Sequence, residues 1–123
     1  MTDLIQVFES GAIRNSDEHK YDFEGFLSPL VLERYGEYMH SHRKQRDGSL
    51  RDADNWQKGI PQEKYRKSLV RHLFDLWRAW RGDGTVIDKD TGKTMDINEL
   101  CCSVMFNVMG FLHERLKTNL ETA

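Results

Sequence analysis

The segment that decides the fold is residues 96–117, with the sequence DINELCCSVMFNVMGFLHERLK. Its polar and small residues recur at steps of three or four, so they fall within an arc of roughly 80° on a helix. These residues, which we call the polar stripe, are Asp96, Glu99, Ser103, Asn107, Gly110 and Glu114. Apolar side chains cover the remaining directions, and this pattern predicts a helix surrounded by protein rather than one lying on a surface.

Two interpretations of the polar stripe are open from the sequence. In the first, the stripe faces a polar site, because a buried unpaired carboxylate is costly unless cations, a metal ion, donors or water surround it. Ser103 and Asn107 favour this, since both weaken the middle of a helix without a gain in packing. In the second, the stripe is the solvent side of a helix whose other faces are covered by its own bundle and a partner subunit.

Length and composition indicate one domain. A chain of 123 residues can form one core, so we treat residues 1–123 as a single domain with an arm over 1–26 and a helical core over 27–123. Assembly as a dimer or higher oligomer would help to bury the apolar helix. The net charge is only −2 although 31% of residues are charged. We therefore expect neither nucleic acid nor a membrane as a partner.

Targeting signals and cysteine usage indicate a cytoplasmic protein. No apolar run approaches the roughly 18 residues of a membrane span, and residues 1–11 lack the basic start and apolar centre of a signal peptide. Cys101 and Cys102 are adjacent and have no metal-ligand spacing around them. They are typical of small core residues in a reducing compartment.

Helices one and two are predicted from their start and stop signals. Ser28 as N-cap and Pro29 at the first helical position open helix one, which runs to about Lys44. After a long polar loop, Pro61 opens helix two, and the glycines of residues 82–84 end it.

A small β-hairpin and helix three complete the predicted fold. Residues 85–87 and 93–95 flank a turn at 90–92 and are typical of a hairpin. Asp96 with Glu99 three positions later forms an acidic capping box that starts helix three. The predicted fold class is all-α: a bundle of three main helices with a small β-hairpin and an N-terminal arm, completed by oligomerisation.

Carboxylates on all three helices predict a metal site if they converge. Hard cations such as Mg²⁺ or Mn²⁺ take carboxylate and water ligands and polarise phosphate chains. The candidate ligands and catalytic residues are Glu33, Glu37, Asp75, Asp96 and Glu99. The alternatives are an exposed helix face for the first two and a pair with Arg71 or Arg78 for Asp75.

Cationic, amide and aromatic residues form a second group that suits a nucleotide. Tryptophan offers a stacking face for a base, asparagine pairs with a base edge, and lysine or arginine neutralises phosphates. The candidates are Arg14, Lys20, Lys44, Asn55, Trp56, Lys58, Arg71, His72 and Asn107. The alternatives are that Trp56 is a hydrophobic plug for the loop and that His72 is a core histidine.

Several of these motifs, taken in order, resemble a known family. They are Gly11-Ala12-Ile13-Arg14 with Lys20, the Lys44 region, Asn55-Trp56-Gln57-Lys58-Gly59, Arg71-His72, and residues 88–92 ahead of the helix that carries Asn107. Together they resemble the phage-associated dATP/dGTP diphosphohydrolases, which are related to the MazG-like all-α nucleotide pyrophosphatases. NWxxG followed by RH is the most specific part.

The resemblance implies an oligomeric helical bundle that uses Mg²⁺ to cleave purine deoxynucleoside triphosphates into monophosphate and pyrophosphate. It implies substrate binding by residues 55–59 with Arg71 and His72, metal ligation by Asp96 or Glu99, and location in the host cytoplasm if the chain is phage-encoded. MazG-like enzymes carry EExxE and ExxD on consecutive helices, whereas this chain has ExxxE and HxxD. This departure favours the alternative of a catalytically silent protein that sequesters a nucleotide. A purely structural or interaction protein is the third hypothesis.

Overall fold

The computed structural model describes residues 4–122. Within them the chain forms two antiparallel β-hairpins, four α-helices and one 3₁₀ helix. Their bounds are β1 Ile5–Val7, β2 Ile13–Asn15, α1 Phe23–Phe26, α2 Pro29–Ser41, a 3₁₀ helix Asn55–Lys58, α3 Gln62–Arg81, β3 Thr85–Ile87, β4 Thr94–Asp96 and α4 Ile97–Thr122. The chain divides into two compact units, at residues 1–32 and 33–123, and each is described by itself.

The predicted all-α class is wrong, because β-structure is part of the core as well as of the arm. In the second unit, β3 pairs with β4 so that Val86 lies opposite Met95, and both side chains are buried. They join the same apolar cluster as Leu100 of α4 and Ala79 of α3. The hairpin therefore supplies residues to the hydrophobic core and is not only an addition to the surface of a helical bundle. The fold is mixed, with a helical majority.

The N-terminal unit contains a hairpin that the sequence did not predict. Strands β1 and β2 pair in register from Ile5 opposite Asn15 to Val7 opposite Ile13. Gly11, with φ of +89°, adopts a left-handed conformation in the connecting turn, which glycine tolerates best. The strands have three residues each and bury no side chain fully, so they lack the alternation of buried and exposed residues that identifies a strand.

The helix ends follow the local signals in most places. Ser28 Oγ accepts a hydrogen bond from the Val31 amide at 3.3 Å, which caps α2 as predicted. Asp96 Oδ1 accepts from the Glu99 amide at 2.8 Å and caps α4. Helix α2 ends at Ser41, three residues before the predicted end at Lys44.

Helix α4 packs along α3 with its polar stripe turned inward. Ser103 and Asn107 are only 2% and 3% exposed, and Asn107 Nδ2 donates a hydrogen bond to the Ser103 carbonyl at 2.9 Å. The stripe is therefore not the solvent side of the helix. The opposite side of α4 is apolar and exposed, including Leu112 and Leu116.

Tyr65 of α3 approaches Gly110 of α4 closely. Tyr65 of α3 is buried, and a Cβ added at Gly110 of α4 would lie 2.2 Å from Tyr65 Cε1. Glycine is the only residue that leaves room for the ring at this distance. The Tyr65 ring also meets Phe106 edge to face, with centroids 5.8 Å apart.

The described helices were compared with the length and apolarity of membrane spans. None within residues 4–122 is both long and apolar enough to cross a membrane.

We expect Gly110→Ala to destabilise the protein by about 1–3 kcal/mol, because the added methyl overpacks the contact with Tyr65. Gly36→Ala is the matched control, since a Cβ at Gly36 of α2 meets no atom within 4 Å and alanine is favoured in a helix. The free energy of unfolding from urea titrations measures both changes. Equal stability of the two variants would contradict the close contact.

Candidate functional site

A cleft of about 820 Å³ lies in the second unit, and all of its lining residues belong to that unit. This volume is within the range of small-molecule sites. It is walled by the end of α2, the loop that follows, the 3₁₀ helix, the β3–β4 hairpin and the start of α4. Apolar side chains contribute part of its surface, namely Met39, Trp56, Ile60, Met95 and Phe106.

The loop after α2 folds back on itself and presents its basic residues to the cleft. Arg43 and Arg51 are joined by two hydrogen bonds: the Arg51 amide donates to the Arg43 carbonyl at 2.8 Å, and Arg43 Nε donates to the Arg51 carbonyl at 2.7 Å. Lys44 forms a β-bridge with Leu50. Gly48, with φ of +87°, adopts a left-handed conformation between the two arms. The folded loop thus carries three basic residues that line the cleft.

Cationic groups outnumber carboxylates in the cleft. Its four permanently cationic side chains are Arg43, Lys44, Arg51 and Lys93, and its carboxylates are Asp52, Asp88 and Glu99. Lys58 Nζ lies 2.9 Å from Asp52 Oδ2 and lowers the pKa of that carboxyl through a hydrogen bond and its charge. The chain as a whole is slightly acidic, so this local excess of positive charge selects for anionic ligands.

Two histidines, His40 and His42, line the cleft. His42 Nδ1 lies 2.8 Å from the Tyr38 carbonyl, which can only accept, so Nδ1 carries the proton of this hydrogen bond. The His42 ring packs on the Tyr38 ring, with centroids 4.0 Å apart.

Tyr38 is a buried hydroxyl beside the two carboxylates of the inner cleft. Burial raises its pKa most, a hydrogen bond with Ser103 opposes this rise, and the charges of Asp88 and Glu99 raise the pKa further. The hydroxyl therefore stays protonated at neutral pH and can act as a hydrogen-bond donor. Both carboxylates line the same cleft as Tyr38.

Trp56 both lines the cleft and anchors the loop that carries it. Its ring meets His113 of α4 edge to face, with centroids 4.8 Å apart. Its carbonyl accepts a hydrogen bond from the Tyr65 hydroxyl at 3.5 Å. Asn55, in the same 3₁₀ helix, also lines the cleft. Trp56 can therefore be both the predicted hydrophobic plug for the loop and the predicted surface on which a base stacks.

The five predicted metal ligands do not form one site. Within residues 4–122, no three His, Cys, Asp or Glu side chains are grouped so that they could hold a metal ion. Of the predicted set, Glu99 alone lines the cleft. Asp75 pairs with Arg78 at 3.6 Å, Asp96 caps α4, and Glu33 and Glu37 are exposed on α2. The structure therefore does not bring the five predicted ligands together.

The predicted nucleotide-binding residues divide into two groups. Lys44, Asn55 and Trp56 line the cleft. Lys58 forms an ion pair with Asp52, which also lines the cleft. The others lie elsewhere in their units: Arg14 is on β2, Lys20 pairs with Asp17 at 3.6 Å, Arg71 is exposed on α3, His72 is half-buried on α3 and Asn107 is buried in α4.

Sequence reasoning missed most of the basic surface of the cleft. Arg43, Arg51 and Lys93 were not among the candidates, although residues 40–46 read HSHRKQR. That run of basic residues at a helix end, followed by the glycine turn at Gly48, is the signal that could have identified them. Asp88 belonged to a motif of the family resemblance but had no role assigned.

Comparison of the chain with family models, with curated proteins and with solved structures finds no match. The resemblance to the dATP/dGTP diphosphohydrolases stays a prediction.

We expect the protein to lose stability in acid partly through His72. Its Nδ1 is buried without a hydrogen-bond partner in the described chain, and burial lowers its pKa below the ordinary value of 6.5. At a pH between the lowered pKa of the folded state and the ordinary pKa of the unfolded state, the unfolded chain binds more protons than the folded one. Stability therefore falls as the pH drops below about 6.5. His72→Phe should flatten this decline, as measured by urea unfolding between about pH 5 and pH 8. An equally steep decline in the variant would contradict the assignment.

Proposed function

We propose that the protein binds a nucleotide in this cleft, with the phosphates against the basic loop and the base near Trp56. The observation that carries the proposal is a cleft of about 820 Å³ in which cationic side chains outnumber carboxylates and which the half-buried Trp56 lines. Purine deoxynucleoside triphosphates are the first candidates, on the strength of the family resemblance. Such a ligand implies a cytoplasmic location.

The phosphate part of the proposal depends on Arg43, Lys44 and Arg51. The hydrogen bonds of the folded loop fix the backbone that carries these residues, while their long side chains must still be ordered when a ligand binds. Guanidinium and ammonium groups make charge-assisted hydrogen bonds to phosphate oxygens, about twice as strong as neutral ones. Lys93, from the opposite wall of the cleft, adds a fourth cation.

The base part of the proposal depends on Trp56 and Asn55. An indole face contributes roughly 1–3 kcal/mol to binding when a base stacks on it. The neighbouring amide can donate to and accept from a base edge. The place of the Asn55 amide next to Trp56 supports a planar heterocyclic ligand rather than a simple anion.

We expect Lys44→Ala to weaken nucleotide binding by roughly 10- to 100-fold, because one charge-assisted hydrogen bond contributes roughly 1.5–3 kcal/mol. Lys67→Ala is the matched control: this lysine pairs with Glu63 at 2.7 Å on α3, outside the cleft. Titration calorimetry with dATP, dGTP and their ribonucleotides measures the dissociation constants. Equal effects of the two changes would contradict a phosphate site in the cleft.

The substitution Trp56→Leu distinguishes a role of Trp56 in stacking on a base from a role as a hydrophobic plug for the loop. Leucine keeps an apolar side chain for the loop but removes the aromatic face, so we expect affinity for nucleotides to fall by about tenfold or more while affinity for inorganic triphosphate is unchanged. Loss of both affinities together with the thermal transition would instead identify Trp56 as a structural plug alone.

Hydrolysis of the bound nucleotide is the second candidate function. The observation that favours it is the pair of carboxylates, Asp88 and Glu99, in the cleft near Tyr38. Mg²⁺ is commonly held by one or two carboxylates together with the phosphates of the substrate. The incomplete acidic motifs favour the silent binder, so binding is the primary proposal and turnover the secondary one.

Incubation with dATP or dGTP and Mg²⁺ or Mn²⁺, followed by chromatography before and after denaturation of the protein, distinguishes the two functions. A silent binder returns the triphosphate intact on denaturation, whereas a hydrolase releases monophosphate and pyrophosphate. If turnover occurs, we expect Glu99→Gln to abolish it while the thermal transition is retained. Full activity of that variant would remove Glu99 from the mechanism.

A further inference from the structure

The cleft extends along α4 and has two chemically different ends. At the first, which we call the aromatic end, Trp56 packs its ring against His113 of α4, with centroids 4.8 Å apart. At the second, the carboxylate end, Glu99 lines the cleft from the first turn of the same helix. Because an α-helix rises about 1.5 Å per residue, the backbones of residues 99 and 113 lie roughly 20 Å apart. Phe106, midway between them, also lines the cleft.

The carboxylate end offers hydrogen-bond acceptors. The Glu99 carboxylate forms no hydrogen bond or ion pair within residues 4–122. Asp88 comes from the hairpin that leads into α4, and its Oδ2 accepts a hydrogen bond from the Thr91 hydroxyl at 2.8 Å. A carboxylate has about four acceptor positions, so both side chains can accept further hydrogen bonds from a ligand. Lys93 of the same hairpin supplies one cation against these two carboxylates.

The basic loop connects the two ends along the chain. It begins after Tyr38, which packs in the same core cluster as Leu100 near the start of α4. It ends at Trp56, beside His113. Its basic residues that line the cleft are Arg43, Lys44 and Arg51. A ligand that contacts all three parts in this order carries a planar group, then anionic groups, and then a group that donates hydrogen bonds.

We propose that the ligand of this cleft is a nucleoside diphosphate whose second phosphate carries a further sugar, with hydroxyls of that sugar donating to Asp88 and Glu99. This inference rests on the proposed function, which supplies the base at Trp56 and the phosphates at the basic loop. Acidic side chains commonly accept hydrogen bonds from sugar hydroxyls in nucleotide sites. The second sugar gives the carboxylate end a neutral donor group.

Charge favours this ligand over a free nucleoside triphosphate. A terminal phosphate carries a charge of about −1.5 to −2 at pH 7, and repulsion from Asp88 and Glu99 opposes its entry into the carboxylate end. A phosphate esterified to a second sugar is less charged, and the sugar beyond it is neutral. Hydrogen bonds from hydroxyls to ionised carboxylates are also stronger than those between neutral groups.

The test is titration calorimetry of the full-length protein in EDTA, with ADP against ADP-ribose and GDP against GDP-mannose. We expect the sugar-bearing ligand of at least one pair to bind at least tenfold more tightly than its parent diphosphate. Glu99→Gln and Asp88→Asn should each reduce this preference to about threefold or less, because an amide has one acceptor oxygen and no charge. The thermal transition of each variant verifies that it is folded.

Glu121→Gln is the matched control, because it makes the same change at an exposed position of α4 outside the cleft. It should leave the preference for the sugar-bearing ligand as in the wild type. A preference lost equally in Glu121→Gln, or retained in both Glu99→Gln and Asp88→Asn, would overturn the role of the carboxylates.

Three further outcomes would overturn the inference. If ADP and GDP bind as tightly as the sugar-bearing ligands, the cleft is a nucleotide site that does not recognise a second sugar. If Mg²⁺ makes ATP or GTP the tightest ligand and Glu99→Gln removes that gain, the carboxylates hold a metal ion instead. If no nucleotide binds, with or without a second sugar, the proposed function fails together with this inference.

Discussion

The close contact between Tyr65 and Gly110 is the constraint on which the second unit depends. A buried ring lies where any side chain on residue 110 would have to be, so α3 and α4 approach at a distance that only glycine allows. The same tyrosine reaches the carbonyl of Trp56 through its hydroxyl. One side chain thus sets the helix spacing and anchors the 3₁₀ helix that forms a wall of the cleft.

This close packing explains why α4 is turned with its polar stripe inward. Small and short side chains such as Gly110 and Ser103 allow two helices to approach, whereas leucine and methionine would hold them apart. The cost of burying Asn107 is reduced by its hydrogen bond to the Ser103 carbonyl, 2.9 Å away. The consequence is an outward apolar side on α4, which includes Leu112 and Leu116.

The cleft results from pieces that are far apart in the chain. Its basic wall is a loop closed by the hydrogen bonds between Arg43 and Arg51, its aromatic wall is the 3₁₀ helix, and its inner carboxylates come from the hairpin and from α4. Positive charge is concentrated there in a chain that is acidic overall. That contrast, rather than any single motif, is what supports the proposal of an anionic ligand.

The sequence alone determined the helix starts and the position of the second hairpin, because caps, turn residues and 3.6-residue periodicity act over a few neighbouring positions. Ser28 and Asp96 cap their helices as expected, and residues 85–96 pair as a hairpin. It also indicated Lys44, Asn55 and Trp56, which line the cleft. Only the tertiary structure decided which side of α4 faces inward, which carboxylates share a cleft and that Val86 and Met95 make β-strands part of the core. Those properties depend on distances between residues remote in sequence, and periodicity along one helix carries no information about what lies opposite each face.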